Sequence, residues 1–327
     1  MNMAESFGFE SVGIKQKKNQ CLSRLDAVTK SEIIKGIKVE IPLIASNMST
    51  VINATFYQDL VRAGAFGFLH RALPKYAYLA DVERVARNCE WVPVSIGVGN
   101  EQYELANTLI EYGANVIVID IAHGYCDPVI DLGRKLKKQY PHIKMVVGNT
   151  TNVDMLYEVA DFADALKVGI ASGLACDTKS TAGCFEKQFS AILKFKTASR
   201  NTGIPIISDG GLREPADLTK SIGAGASSAM AGSIFAACPE SAAKAVEIDG
   251  KQKKLYAGMA SEYVQKRWKG GIKAGTCAEG SVKYVDPGKP LLEMLEVWQG
   301  ALRTGISYAG GTDIQSFQDC VEFIRLV

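Results

Sequence analysis

Residues 204–233 read IPIISDGGLREPADLTKSIGAGASSAMAGS. Two short apolar runs, IPIIS and SSAMA, each lead into glycine beside a polar residue, as Asp209-Gly210-Gly211 and as Gly232-Ser233. Runs that are apolar throughout mark strands buried on both faces of a parallel sheet, and the stretch between them leaves room for a helical crossover. The same unit recurs toward the N-terminus in IPLIAS (41–46), AFGFLH (65–70), VPVSIGV (92–98), NVIVID (115–120), IKMVVGN (143–149) and ALKVG (165–169). Eight such units predict an α/β chain folded as a (β/α)8 TIM barrel. An open doubly wound sheet would more often carry an early Gly-x-Gly-x-x-Gly opening a helix, and none is present. The expected organisation is one barrel domain over 1–327, with an N-terminal segment 1–40 and a C-terminal tail from about residue 240. That tail reads as a KQKK turn at 251–254 and helical stretches near 290–303 and 313–325, broken at Gly310-Gly311.

The chain has 327 residues, 47% hydrophobic and 22% charged, enough for a large buried core. A net charge of +2, with no basic run interleaved with aromatics, argues against nucleic acid and leaves small molecules as partners. The opening MNMAESFGFESVGIKQKKNQ has no apolar signal core, and no stretch reaches the roughly 18 apolar residues of a membrane span, so a cytoplasmic location is expected. Eight cysteines (21, 89, 126, 176, 184, 238, 277, 320) form no Cys-x-x-Cys pair and read as free thiols. With only His70, His123 and His142 besides, no metal site is expected.

Barrel chemistry collects at the carboxyl ends of the strands. Here those ends carry Ser46-Asn47-Met48, then Asp120 followed by Ala122-His123-Gly124, then Gly148-Asn149 and Asp209-Gly210-Gly211. The sixth strand runs into GIASGLACDT (169–178), a glycine-containing loop that presents Cys176 beside Thr178. A thiolate attacks electrophilic carbon well near neutral pH, although a free cysteine is often merely buried. Glycines and a helix start after strands seven and eight favour an anion, which makes Gly211, Gly232 and Ser233 phosphate candidates.

SDGG (208–211), AMAGS (229–233), YAGM (256–259) and the loop ending in Cys176 together resemble the IMP dehydrogenase/GMP reductase family over nearly the whole chain. The resemblance implies that Cys176 attacks C2 of a purine 5′-monophosphate and that a nicotinamide cofactor exchanges hydride there. It assigns the ribose hydroxyls to Asp209, since a carboxylate accepts two hydrogen bonds. It also implies a nucleotide pocket of Ser46, Met48, Asn149, Gly173, Gly210, Gly211, Gly232, Ser233, Tyr256, Gly258, Met259 and Ser261. Asp120, Ala122, Gly124 and Arg71 match the cofactor side, where an arginine suits the 2′-phosphate of NADPH.

Only a short stretch separates His70 from Trp91, so the regulatory CBS insertion of the dehydrogenases is absent. The segment ASEYVQKRWKGGIKAGTCAEG (260–280) lacks the Arg-Tyr pair of the dehydrogenase flap and is similar to the reductase branch, with Glu279 matching its proton-transfer carboxylate. By the same resemblance Thr178 and Glu279 form a relay to the leaving amine, and the members assemble as homotetramers. The implied reaction is NADPH-dependent reductive deamination of guanosine monophosphate to inosine monophosphate, a step of purine salvage. A dehydrogenase without its regulatory domain, or a nucleotide-binding regulator without catalysis, are the alternatives. Leu174 stands in place of a serine that contacts phosphate, Ala171 replaces a glycine and puts a potassium site in doubt, and Ser49 and Asp177 also depart from the family pattern. NADH in place of NADPH stays open at this point.

Overall fold

The computed structural model describes residues 5–326, in which the eight apolar runs form one parallel sheet. Its strands are β1 (Leu43–Ala45), β2 (Phe66–Gly67), β3 (Pro93–Ile96), β4 (Val116–Asp120), β5 (Lys144–Thr150), β6 (Ala165–Val168), β7 (Ile206–Asp209) and β8 (Ser228–Ala231). β8 returns to pair with β1 through Ala229 and Leu43. The last seam, between β2 and β3, is joined by the Leu69–Val94 bridge, with the Leu69 N–H donating to the Pro93 carbonyl at 2.9 Å. The sheet is thus a closed (β/α)8 barrel, and closure leaves no unpaired edge.

The strands are apolar throughout because helices cover their outer faces. Val116, Ile117, Val118 and Ile119 of β4 are all 0% exposed, each burial stabilising by about 1.5–3 kcal/mol. Helix Ala54–Arg62 starts where the Asn53 side chain accepts the Phe56 N–H, and it turns Phe56, Tyr57 and Leu60 inward. Helix Gln188–Thr202 stops at Gly203, whose φ of 65° is the left-handed turn that glycine adopts most easily.

The tail differs from expectation in two places. KQKK (251–254) is not a turn: it opens the strand Lys251–Ala257, the centre of an antiparallel sheet with Ala245–Ile248 and Val282–Val285. The turn is Asp249-Gly250, with φ of 51° and 71°, the dipeptide that a tight hairpin prefers. The final helix is also shorter than predicted, covering Ile314–Cys320. Beyond it Phe323–Arg325 pairs antiparallel with Val12–Ile14, and the Phe323 ring meets Phe189 edge-on at 4.7 Å. Helix Leu291–Tyr308 starts where expected but runs to Tyr308 rather than 303, and it lies close against Pro215–Gly223: a Cβ on Gly305 would come within 2.1 Å of Thr219.

His70, just past β2, is 5% exposed and accepts the Ala72 N–H at Nδ1. Burial pushes its imidazole down to about 4 from the ordinary 6.5. The neutral ring therefore contributes its full stability above pH 6.5, and as pH falls toward 4 the unfolded chain binds a proton that the folded chain does not. Urea unfolding should show stability falling through this window by about 1.4 kcal/mol per pH unit from this group, and His70→Asn should remove that slope. An identical slope in the variant contradicts the assignment.

Candidate active site

At the carboxyl ends of the strands a cleft of ≈ 290 Å³ opens, and its floor is a buried charge cluster. Lys167 of β6 is 1% exposed, although it lies in an otherwise apolar strand. Its Nζ sits 2.5 Å from Asp120 Oδ1 at the end of β4 and 3.1 Å from Asp209 Oδ2 at the end of β7. Asn47 donates to the other oxygen of Asp120 at 2.7 Å, and Asn149 donates to Asp209 Oδ2 at 2.8 Å. Burial alone pushes the Asp120 carboxyl up, but Lys167 and then Arg71 outweigh it and hold the group below the usual carboxylate range. The converse holds for Lys167: burial pulls its ammonium down, and the two carboxylates more than restore it. Asp120 and Lys167 are therefore both charged at neutral pH. The Oδ1 of Asn149 is buried and accepts no hydrogen bond among the described residues.

One wall carries the thiol. The Cys176 Sγ lies 3.3 Å from Thr178 Oγ1, which in turn donates to Glu279 Oε2 at 2.9 Å. Since the threonine proton is committed to the carboxylate, its lone pair is free to accept from the thiol. Backbone pairing sets this alignment. Asp177 N–H donates to the Glu279 carbonyl at 2.9 Å and Ser281 N–H to the Ala175 carbonyl at 3.0 Å, lacing the segment before Val282 onto the loop after β6. Glu279 is half-buried rather than a solvated surface carboxylate, and Thr178 is 7% exposed.

Most residues expected in the nucleotide pocket line this cleft: Ser46, Met48, Asn149, Gly173, Asp209, Gly210, Gly232, Tyr256, Gly258 and Met259. Tyr256 lies against Gly232, where a Cβ would meet its hydroxyl at 2.2 Å, and burial pushes its phenol well up, with Asp209 adding to the shift. Asp120, Ala122 and Arg71 line it on the cofactor side. Four expected residues lie elsewhere. Ser261 is 1% exposed and caps helix Glu262–Lys269 by accepting the Val264 N–H. Gly124 packs on the β5 backbone, where a Cβ would come within 2.4 Å of Gly148. Gly211 (φ 86°) packs against Gln188 and Phe9, and Ser233 begins a four-residue helix next to Gly232. His123 is exposed and makes no side-chain hydrogen bond among the described residues.

Sequence reasoning missed several lining residues, Lys167, Ser172 and Trp268 among them. Lys167 was signalled by a charge inside an apolar run, ALKVG. Ser172 brings a hydroxyl against Gly210 and donates to the Asp209 carbonyl at 2.6 Å, so the end of β7 has a hydroxyl although Leu174, 36% exposed, does not supply one. Trp268 faces the cleft, with Arg71 Cζ 5.7 Å and Lys269 Nζ 4.3 Å from the ring centroid. The loop keeps a left-handed residue at Ala171, φ 59°, where the family pattern has glycine.

The family model described as "IMP dehydrogenase / GMP reductase domain" matches residues 6–327. The chain is 33% identical over 318 residues to GMP reductase of Streptococcus gordonii, covering 97% of this chain and 94% of that protein. It is 28% identical over 328 residues to GMP reductase of Ascaris suum, covering 97% and 92%. A crystal structure of a GMP reductase from Trypanosoma brucei in complex with guanosine 5′-monophosphate superposes with a TM-score of 0.94 at 22% identity, over 99% of this chain and 96% of that one, a likeness of fold. With the family model spanning almost every residue and relatives above 30% identity along nearly its full length, the chain belongs to the IMP dehydrogenase/GMP reductase family.

Proposed function

We propose that this enzyme reduces guanosine 5′-monophosphate to inosine 5′-monophosphate and ammonia with NADPH, through a thioimidate on Cys176. The observation that carries the reading is the thiol–hydroxyl–carboxylate line Cys176–Thr178–Glu279, two hydrogen bonds of 3.3 and 2.9 Å at the mouth of a strand-end cleft. The relatives named GMP reductase support the substrate class.

The thiol proton passes to Thr178 as the threonine proton passes to Glu279, and the sulfur that results bonds to C2 of the guanine. The same line returns a proton to the 2-amino nitrogen, so that the C2–N bond breaks and ammonia leaves. Asp209 holds the ribose, since its Oδ1 accepts no hydrogen bond among the described residues while Oδ2 is taken by Lys167 and Asn149. The orphaned Asn149 Oδ1 suits a ligand hydroxyl donor. The phosphate falls to Gly210 and Gly232, the glycines after β7 and β8 that line the cleft, with the Ser172 hydroxyl against Gly210.

A nicotinamide cofactor, when bound, supplies the hydride that C2 needs. Arg71 makes no ion pair among the described residues and lies beside Trp268, which fits the charged, ringed end of a dinucleotide, with Asp120 and Ala122 alongside. As C2 takes the hydride the C2–S bond breaks and sulfur leaves as the thiolate, which takes a proton from solvent through Glu279 and Thr178. The consecutive Arg-Tyr dipeptide of the dehydrogenase flap does not occur between Met259 and Gly280, where Arg267 instead stacks on the Tyr263 ring at 3.7 Å, and this supports reduction rather than hydrolysis as the fate of the intermediate. A single barrel domain, homotetrameric assembly and a cytoplasmic site of action complete the proposal; no helix among the described residues is long and apolar enough to cross a membrane.

Purified enzyme given NADPH and guanosine monophosphate should lose reduced-nicotinamide absorbance and release one ammonia per NADPH. Binding without turnover would favour a regulator instead, and reduction of NAD by inosine monophosphate would favour a dehydrogenase. Cys176→Ala should abolish turnover and keep nucleotide binding by calorimetry. Glu279→Gln should lower kcat by about 10²–10⁴-fold at little change in nucleotide affinity, and a kcat within a few fold of wild type removes Glu279 from the relay.

A further inference from the structure

The mechanism above leaves one buried charged side chain without a role. Lys167 touches neither the thiol nor its relay, yet its ammonium is enclosed beneath the cleft between a carboxylate on the cofactor side and one on the nucleotide side. We propose that Lys167 is a positioning residue that keeps Asp120 and Asp209 ionised together and fixes Asp209 so that its free oxygen meets the nucleotide ribose.

Two carboxylates within hydrogen-bond distance of one ammonium lose their shared counter-charge without it, and like charges in a low-dielectric site favour taking up one proton between them. The other groups facing them decide where a shared proton would go. Arg71 lies near Asp120 and favours its charge. Asp209 faces the neutral Tyr256 phenol and the neutral amide of Asn149. Asn47 is likewise neutral on Asp120. Without Lys167 the proton therefore settles on Asp209, the carboxylate assigned to the ribose. Its Oδ2 then loses an ionic anchor and keeps only the Asn149 hydrogen bond.

The inference rests on the reading of Asp209 as the ribose ligand, so the test has one arm that needs no nucleotide. Infrared titration of ligand-free Lys167→Met should show a protonated carboxyl band at pH 7 that fades by pH 8.5, and wild type should show none. In the second arm guanosine monophosphate is titrated calorimetrically between pH 7 and 8.5, above the second ionisation of its phosphate near pH 6. Lys167→Met should bind about tenfold more weakly than wild type at pH 7, the loss expected for one hydrogen bond to a charged group, and recover toward wild type at pH 8.5. Wild-type affinity should stay flat.

Lys167→Met combined with Asp120→Asn keeps the cluster's net charge and removes the like-charge partner. Should the single variant fail to fold, this double variant carries the test, and its affinity should be independent of pH across the same range. No protonated band in the single variant, affinity that is weakened equally at every pH, or a pH-dependent double variant overturns the role. A protonated band with no nucleotide binding by wild type would instead overturn the functional reading and leave the charge-holding role standing.

Discussion

The Lys167 ammonium, held between Asp120 and Asp209, is the constraint on which the cleft depends. Burying a charge costs several kcal/mol unless it is paired and hydrogen-bonded, and here two carboxylates and two asparagine amides, Asn47 and Asn149, meet that requirement. Each partner comes from a different strand end, so satisfying one lysine locks the ends of β1, β4, β5, β6 and β7 into register around one point. Such a cluster adds little net stability over apolar packing, but removing one member leaves uncompensated charge, at a cost of about 3–5 kcal/mol. Its value lies in specifying one geometry for the floor against which a nucleotide and a dinucleotide would meet.

On this rigid floor the reacting wall is assembled from distant parts of the chain. Cys176 and Thr178 follow β6, while Glu279 lies 101 residues beyond Thr178, past the barrel's last strand. Backbone pairing of the Ala175–Asp177 stretch with Glu279–Ser281 brings them together, so the relay geometry is set by main-chain hydrogen bonds rather than by side-chain rotamers alone. The antiparallel sheet of the tail carries this segment between Ala257 and Val282. The tail thus helps to build the candidate active site as well as the fold.

The eight strands were legible because strands buried on both faces leave an uninterrupted apolar record, and the glycines at their ends marked where function collects. The alignment of Cys176, Thr178 and Glu279 was foreseen by resemblance, since no local pattern relates Thr178 to Glu279 across such a separation. Lys167 was hidden for the opposite reason. A lone lysine in ALKVG reads as an exception to the strand until three-dimensional neighbours show what neutralises it. KQKK was misread because charge suggested a turn, whereas what makes it a strand is antiparallel pairing with Ala245–Ile248, which the local sequence does not show. Ser261 and Gly124 match the family's pocket in sequence, but helix capping and close backbone approach account for them in the structure.

The central claim is that Cys176, relayed through Thr178 to Glu279, forms a bond to C2 of the purine. Acid-quenched enzyme incubated with guanosine monophosphate in the absence of NADPH, digested and examined by mass spectrometry, tests it most directly. The account predicts an adduct on the peptide bearing Cys176 whose mass is that of the nucleotide less ammonia, with one ammonia released per adduct. Turnover with NADPH in an enzyme whose Cys176 never carries such an adduct, or an adduct on another cysteine, would contradict it.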